Sequence, residues 1–404
     1  MSKILRKRYI ILLLIFLGAF AVRILFISTL DNSVDVWGDW WDELGWKLAT
    51  GKGFWVKNPY FPDGEPFYSW RTPGFPLFLA MIYKIFGHSY LAAKIGLAFI
   101  SCLSVILLYL LGKELIDEKA GFVSAGIYSI YPASIFWTGY LAPVTLEIFF
   151  LFLLIYLLIR GEKTLKNSLF FFGGIILGIA SCIRSLFLMY VPAVFLWLLI
   201  KNKKMLKREF WIFILGFCIS ISPWVIRNYK IFHRLVFTST EGGIVCYIAN
   251  NENSLAQPSG YWNPPPSYFE KLKGMDELSI NRYLYREAFR FIKNNPGIYI
   301  KLVWDRFIRF WRFYPHTFSG PGQNYSLFHV VVGFLTFAPL LILGGMGVIK
   351  SFRRWKDFLL VYLVIFFWAT PIILFFKTVI RYREPLAGFF ILFGILLFKK
   401  DVER

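Results

Sequence analysis

The sequence predicts an all-α protein that crosses a membrane about ten times, and three observations carry that prediction. Of the 404 residues, 57% are hydrophobic and 20% aromatic but only 17% are charged, with a mean hydropathy of +0.57. A water-soluble domain carries about 25% charged residues. The apolar residues also come in long blocks, and about 20 such residues at 1.5 Å each cross the ~30 Å hydrocarbon layer. Finally, the lysines and arginines gather in short clusters between the blocks.

The blocks lie near 10–29, 90–112, 120–139, 143–160, 168–187, 188–200, 210–227, 326–349, 358–376 and 385–398. A count of nine to twelve spans is compatible with them, because the fifth and sixth run together. The N-terminal block, broken only by Arg23, is too long for the apolar core of a signal peptide, so it is expected to be retained as a first span. Lys3, Arg6, Lys7 and Arg8 precede it, and further clusters follow each even-numbered span, such as Lys201, Lys203, Lys204, Lys207 and Arg208. The positive-inside rule then places both termini in the cytoplasm of a plasma-membrane protein. This distribution also explains the net charge of +21 without nucleic acid.

Two long segments, 30–89 and 228–325, fall on the opposite, external side. Long connections without spans of their own are usually functional, so the active site is expected there. The chain divides accordingly into a first transmembrane module (1–227), an external segment (228–325) and C-terminal spans (326–404).

Asp35, Asp39, Asp42 and Glu43 cluster just after the first span. Carboxylates at a membrane boundary are costly to desolvate, so the group reads as a base, metal ligands or a cation contact, or else as a solvated turn. A helix is expected from Asp42 to a left-handed cap at Gly51, with Leu44, Leu48 and Trp41 on one face. A second, interfacial or re-entrant helix follows Pro73 and Pro76. Arg71, just ahead of it, faces a phosphate, one of the acids, or only solvent. Glu147 sits one turn into the fourth span, where it either snorkels to the interface or lines a cavity. Arg184 lies at the external junction of the fifth and sixth spans, suited to a lipid phosphate or to a salt bridge with Glu147. Arg227 ends the seventh span. The run from Thr238 through Gly243 to Asn250 and Asn251 reads as a strand leading into an Asn-rich loop, a small mixed α/β piece whose asparagines contact sugar hydroxyls or simply form turns. Residues 297–314 form a basic amphipathic helix with Lys301, Arg309 and Arg312 on one side and Arg306 at its edge. Lys377, Arg381 and Arg383 are external cations, against the positive-inside bias, and a phosphate at the membrane surface or the neighbouring Glu384 accounts for them.

These islands resemble a known family. The order Asp39, WKLATGKGF and RTPGFPLFLAMIYKIFG is similar to the first loop of bacterial family-39 membrane glycosyltransferases, which stand with the protein O-mannosyltransferases and lipid A aminoarabinose transferases in the GT-C superfamily. Pro223-Trp224, Arg227-Asn228-Tyr229, Gly242-Gly243 and the paired asparagines follow in the family's order, and Arg381-x-Arg383-x-Pro385 resembles its final motif. The resemblance implies an enzyme that takes a sugar from a polyprenyl-phosphate donor at the non-cytoplasmic face. Asp39 would be its base, with Asp35, Asp42 and Glu43 as alternatives because the spacing to Trp41 is short for the family. Glu147 would line the same cavity. The acceptor is left open among protein, lipid and glycan. No cofactor is required by the sequence; a divalent metal remains compatible with the acids, although His and Cys ligands are missing. Membrane lipids are the other expected partner. A transporter or flippase of polyprenyl-linked glycans is the rival reading, and it predicts paired repeats and mid-membrane polar residues that the sequence does not display.

Overall fold

The computed structural model describes residues 3–33, 40–61, 63–201, 203–255, 257, 261–313 and 326–399. Its helices, in chain order, are α1 (Lys3–Ser28), α2 (Trp41–Ala49), α3 (Gly74–Phe86), α4 (Tyr90–Leu115), α5 (Glu118–Ser129), α6 (Pro132–Phe136), α7 (Val144–Thr164), α8 (Asn167–Ile183), α9 (Tyr190–Lys201), α10 (Lys203–Leu206), α11 (Glu209–Phe232), α12 (Gly242–Tyr247), α13 (Glu277–Asn294), α14 (Pro296–Trp311), α15 (Leu327–Ser351), α16 (Trp355–Phe375) and α17 (Glu384–Leu397). Among the described residues, five stretches are long and apolar enough to cross a membrane: Lys7–Ser28, Tyr90–Leu115, Val144–Thr164, Glu209–Phe232 and Leu327–Phe375. The last holds two expected spans, α15 and α16, joined by a tight turn at Phe352–Arg354. The shorter apolar helices α8, α9 and α17 coincide with three more of the expected blocks. The chain is an all-α polytopic membrane protein.

Side chains fix the boundaries. Ser89 caps α4 by accepting from the Ala92 amide at 3.2 Å, and Asp117 caps α5 through Ala120 at 2.8 Å. The 120–139 block is not one continuous helix. Tyr131, extended ahead of Pro132, breaks it into α5, α6 and a 3₁₀ turn at Trp137–Gly139. Arg23 of α1 fills the break: fully buried, it donates to Ser101 Oγ, Ser134 Oγ and the carbonyls of Ala19 and Ser129, all within 3.0 Å. A charge inside the bundle is thus satisfied by hydroxyls and by the open end of a helix. Glycines bring α8 and α11 together; at Gly174 a Cβ would run into the Phe213 carbonyl, and at Gly216 into that of Phe171.

The expected strand in 238–249 is absent. The glycine pair instead opens α12, and among the described residues the only β pairing is an isolated bridge between Val56 and Phe67. Close approach explains this: a Cβ at Gly243 would strike the backbone of Asn281 on α13, so the glycine lets the two helices touch. The two long segments share one apolar core, in which Leu44, Phe54, Phe67 and Trp70 pack with Cys246, Tyr247, Ile280 and Leu284. Its polar hub is Glu277, which accepts from the Tyr68 amide at 2.6 Å, the Ser69 amide at 3.0 Å and Thr240 Oγ1 at 2.5 Å. Burial pushes its carboxyl above the usual range, while these donors and Arg227 draw it back. Glu277→Ala leaves two backbone amides and a hydroxyl without their acceptor. A loss of about 2–4 kcal/mol is expected on a thermal or denaturant melt in detergent; a wild-type midpoint would show that the hub is dispensable.

Candidate active site

α2 ends as its sequence requires, with Gly51 in the left-handed region at φ 73°. It buries Trp41 and Leu44, and Trp41 meets Phe75 of α3 edge-on at 5.9 Å. The two described acids of the first cluster are both engaged by neighbouring side chains. Asp42 accepts from Tyr83 at 2.6 Å and Tyr90 at 3.2 Å, and lies 2.8 Å from His88 Nε2, which stacks on Trp46. Glu43 pairs with Lys47 at 2.6 Å. Asp35 and Asp39 lie outside the described residues.

Trp41, however, faces a cavity of about 380 Å³ at one end of the bundle. Four widely separated stretches build it: Arg71 and Thr72 ahead of α3, Arg184–Leu186 between α8 and α9, Thr238–Gly242 at α12, and Lys377 with Arg381 and Tyr382 between α16 and α17. Arg71 forms an ion pair with Glu241 and lies 4.9 Å from the centre of the Trp41 ring. Arg184 Nε sits 2.6 Å from Glu147, which is fully buried behind it, and the Arg184 guanidinium covers the Tyr382 ring at 4.8 Å. Of the two partners expected for Arg184, Glu147 is present on its buried side, and its other side faces the cavity. Lys377 lies 5.1 Å from the Tyr261 ring. The 3₁₀ turn carrying Arg381 is anchored by Trp368, whose indole N–H donates to the Tyr382 carbonyl at 2.6 Å. Among the described residues the lining thus holds four cations and one carboxylate, Glu241. Tyr285 of α13 completes it, its hydroxyl pushed up to about 12 chiefly by burial.

Four candidates lie elsewhere. Arg383 is buried against the Phe337 ring at 3.5 Å, with Glu384 at 3.6 Å. Residues two apart on a helical turn face different ways, so Arg381 reaches the cavity while Arg383 packs between α15 and α17. Arg227 donates to the carbonyls of Tyr68 at 2.5 Å and Phe54 at 2.8 Å. Asn250 donates to the carbonyls of Cys246 and Phe375, each at 2.8 Å, and accepts from Arg306 at 3.0 Å. Asn251 donates to the Tyr247 carbonyl at 2.9 Å. Both asparagines are internal ties, with their amides consumed by the fold. Arg306 likewise sits inside, not at the edge of a polar face: it is fully buried and also donates to the Leu374 carbonyl at 2.9 Å.

Sequence reasoning passed over Glu241, Tyr285 and Tyr382. Glu241 had a readable signal, an acid directly before a glycine pair in a segment facing many cations; the two tyrosines had none. Among the described residues no group of three or more His, Cys, Asp or Glu is gathered as a metal ion requires. The acids there are already engaged: Glu147 and Glu241 by arginines, Glu43 by lysine, and Asp42 by a histidine and two tyrosines.

A family model described as dolichyl-phosphate-mannose-protein mannosyltransferase matches residues 70–226, less than half of the chain but including Arg71, Glu147 and Arg184. No curated protein sequence matches. Among solved structures, the apo oligosaccharyltransferase of Archaeoglobus fulgidus is similar over 96% of this chain and 50% of its own, with a TM-score of 0.61 at 14% identity. The same archaeal enzyme, AglB, in complex with an inhibitory peptide and a dolichol-phosphate, is similar over 98% of this chain and 50% of its own, at a TM-score of 0.55 and 13% identity. ArnT of Cupriavidus metallidurans bound to undecaprenyl phosphate aligns at a TM-score of 0.45 and 10% identity, covering 95% and 77% of the two chains. The chain spans about half the length of the archaeal structures it matches. Residues 70–226 are thus similar to the dolichyl-phosphate-mannose-protein mannosyltransferase family, and the bundle that carries them shares the archaeal enzyme's fold.

Proposed function

We propose that the protein is a membrane glycosyltransferase that moves a sugar from a polyprenyl-phosphate donor to an acceptor hydroxyl at the non-cytoplasmic face. The observation that carries this reading is the convergence of Arg71, Arg184, Lys377 and Arg381 on one cavity that also holds Trp41, two residues after Asp39. Cations from the start, middle and end of the chain meet at the ends of apolar helices, where a lipid phosphate lies. One of the similar archaeal structures is a complex with a dolichol-phosphate, which is the same class of carrier.

In this scheme the donor phosphate sits against Arg184, Lys377 and Arg381, and the sugar lies toward Trp41, Arg71 and Glu241. Asp39 takes the proton from the acceptor hydroxyl as its oxygen bonds to the anomeric carbon. The bond from that carbon to the phosphate oxygen breaks, and polyprenyl phosphate leaves with its charge held by the cations. Attack opposite the leaving group inverts the anomeric centre. Glu147, being fully buried, acts through Arg184, which it orients.

Purified full-length protein incubated in detergent with radiolabelled polyprenyl-phosphate sugars and a panel of peptide, lipid and glycan acceptors tests this directly. Label should appear on an acceptor with release of polyprenyl phosphate. Binding or translocation of donor without any bond cleavage would favour the transporter. Lys377→Ala with Arg381→Ala should raise the donor KM about 10- to 100-fold, the loss of one or two charge-assisted contacts. The effect on donor KM should exceed the effect on the melting midpoint, because both side chains line the cavity. An unchanged KM would remove the phosphate from this end of the cavity.

A further inference from the structure

α13 carries a feature that the transfer scheme does not use. Arg282, Arg286 and Arg290 are spaced four apart and Lys293 follows three later, so all four fall on one face. All four are exposed, and the opposite face is the buried one, with Ile280, Leu284 and Ala288 in the core shared by the two long segments. Among the described residues the one carboxylate paired with this stripe is Glu287, on Arg290 at 2.7 Å. The stripe stands at the mouth of a span. Phe289, half exposed beside it, lies 5.9 Å from Phe375, the last residue of α16. At the start of α14, Tyr299 donates to the neighbouring Leu374 carbonyl at 3.2 Å. From there α14 presents Ile300 and Trp304, which are 66% and 63% exposed, on the face turned away from its buried Leu302 and Phe310.

A row of cations at the end of a transmembrane helix, continued by an exposed tryptophan and isoleucine, matches the headgroup region of a bilayer: charge meets phosphate while the rings enter the acyl boundary. We propose that the α13 stripe is a docking surface for anionic phospholipid headgroups, with Ile300 and Trp304 as its apolar anchors. Tyr285, on the same helix, lines the cavity, so a lipid held on this stripe braces one wall of the site. The proposal does not depend on the glycosyl-transfer reading.

The test uses full-length protein in phosphatidylcholine nanodiscs containing a minor fraction of phosphatidylglycerol with a photoreactive headgroup, followed by mass-spectrometric mapping of labelled peptides. Wild-type protein should be labelled within residues 282–308, and 500 mM NaCl should suppress that labelling strongly relative to 50 mM. Replacing all four cations by glutamine should reduce it about tenfold or more, while changing only the three arginines to lysine should preserve it. A photoreactive phosphatidylcholine should label the same peptides weakly and without salt dependence. Three results would overturn the proposal: equal labelling in the glutamine variant, equal labelling by the zwitterionic probe, or displacement of the lipid by a soluble anionic polysaccharide at low concentration, which would assign the stripe to a glycan. The salt arm needs no variant, so a glutamine form that fails to fold leaves the proposal testable.

Discussion

Glu147→Ala is expected to destabilise the protein by about 3–5 kcal/mol, because it leaves the Arg184 charge without its partner in a largely desolvated position. The carboxylate is fully buried, Arg184 Nε lies 2.6 Å from it, and the surrounding α7 side chains Leu146 and Ile148 are apolar and buried. The damage should reach function as well. Arg184 lines the cavity, and without Glu147 it is free to leave the orientation in which it covers Tyr382. Thermal unfolding in detergent reads the first effect and the donor KM reads the second. Glu147→Gln keeps the shape and an acceptor oxygen, so it should lose less stability than the alanine while still weakening donor binding. If Glu147→Ala melts with the wild type and binds donor normally, the ion pair organises nothing and the cavity must be held by other contacts.

The second large effect is on turnover. Asp39→Asn should lower kcat about 10²- to 10⁴-fold, the usual contribution of a positioned general base. Expression and melting midpoint should stay unchanged, because the substitution preserves volume. The donor KM should also hold, since in this scheme the base acts on the acceptor hydroxyl while Arg184, Lys377 and Arg381 hold the donor phosphate. Retained turnover in Asp39→Asn would move the base to Asp35, Asp42 or Glu43. Asp42 is already engaged, with Tyr83, Tyr90 and His88 around its carboxylate. Asp42→Asn should accordingly act on α2 packing and stability before it acts on chemistry.

Local rules were enough for much of the architecture. Apolar blocks give α1, α4, α7, α11, α15 and α16, and Gly51 ends α2 as its position predicts. They failed where a helix is broken or a strand replaced for reasons that lie elsewhere in the chain. Pro132 marks a break in 120–139, but nothing local says that Arg23 of α1, more than a hundred residues away, will fill it. The run from Thr238 through Gly243 reads as a strand leading into a loop, and only the contact of Gly243 with Asn281 explains the helix found there.

The cations and acids divide in the same way. Their residue types and their positions at span ends marked Arg184, Lys377 and Arg381 as cations suited to an anionic partner, and left Arg71 and Glu147 open between such a partner and solvent or the interface, because an ion beside hydrocarbon is costly without one. That requirement is a property of the sequence. Which partner each ion finds is set by contacts between residues tens to hundreds of positions apart. Arg71 meets Glu241, Arg184 meets Glu147, and Arg383 turns from the cavity into the α15–α17 packing two residues after Arg381 enters it. Hydropathy and charge determined by themselves that this chain crosses a membrane and carries ions at its span ends. Tertiary structure alone decided which of those ions share a cavity, because close packing, and not local propensity, fixes which way a side chain at a helix end points.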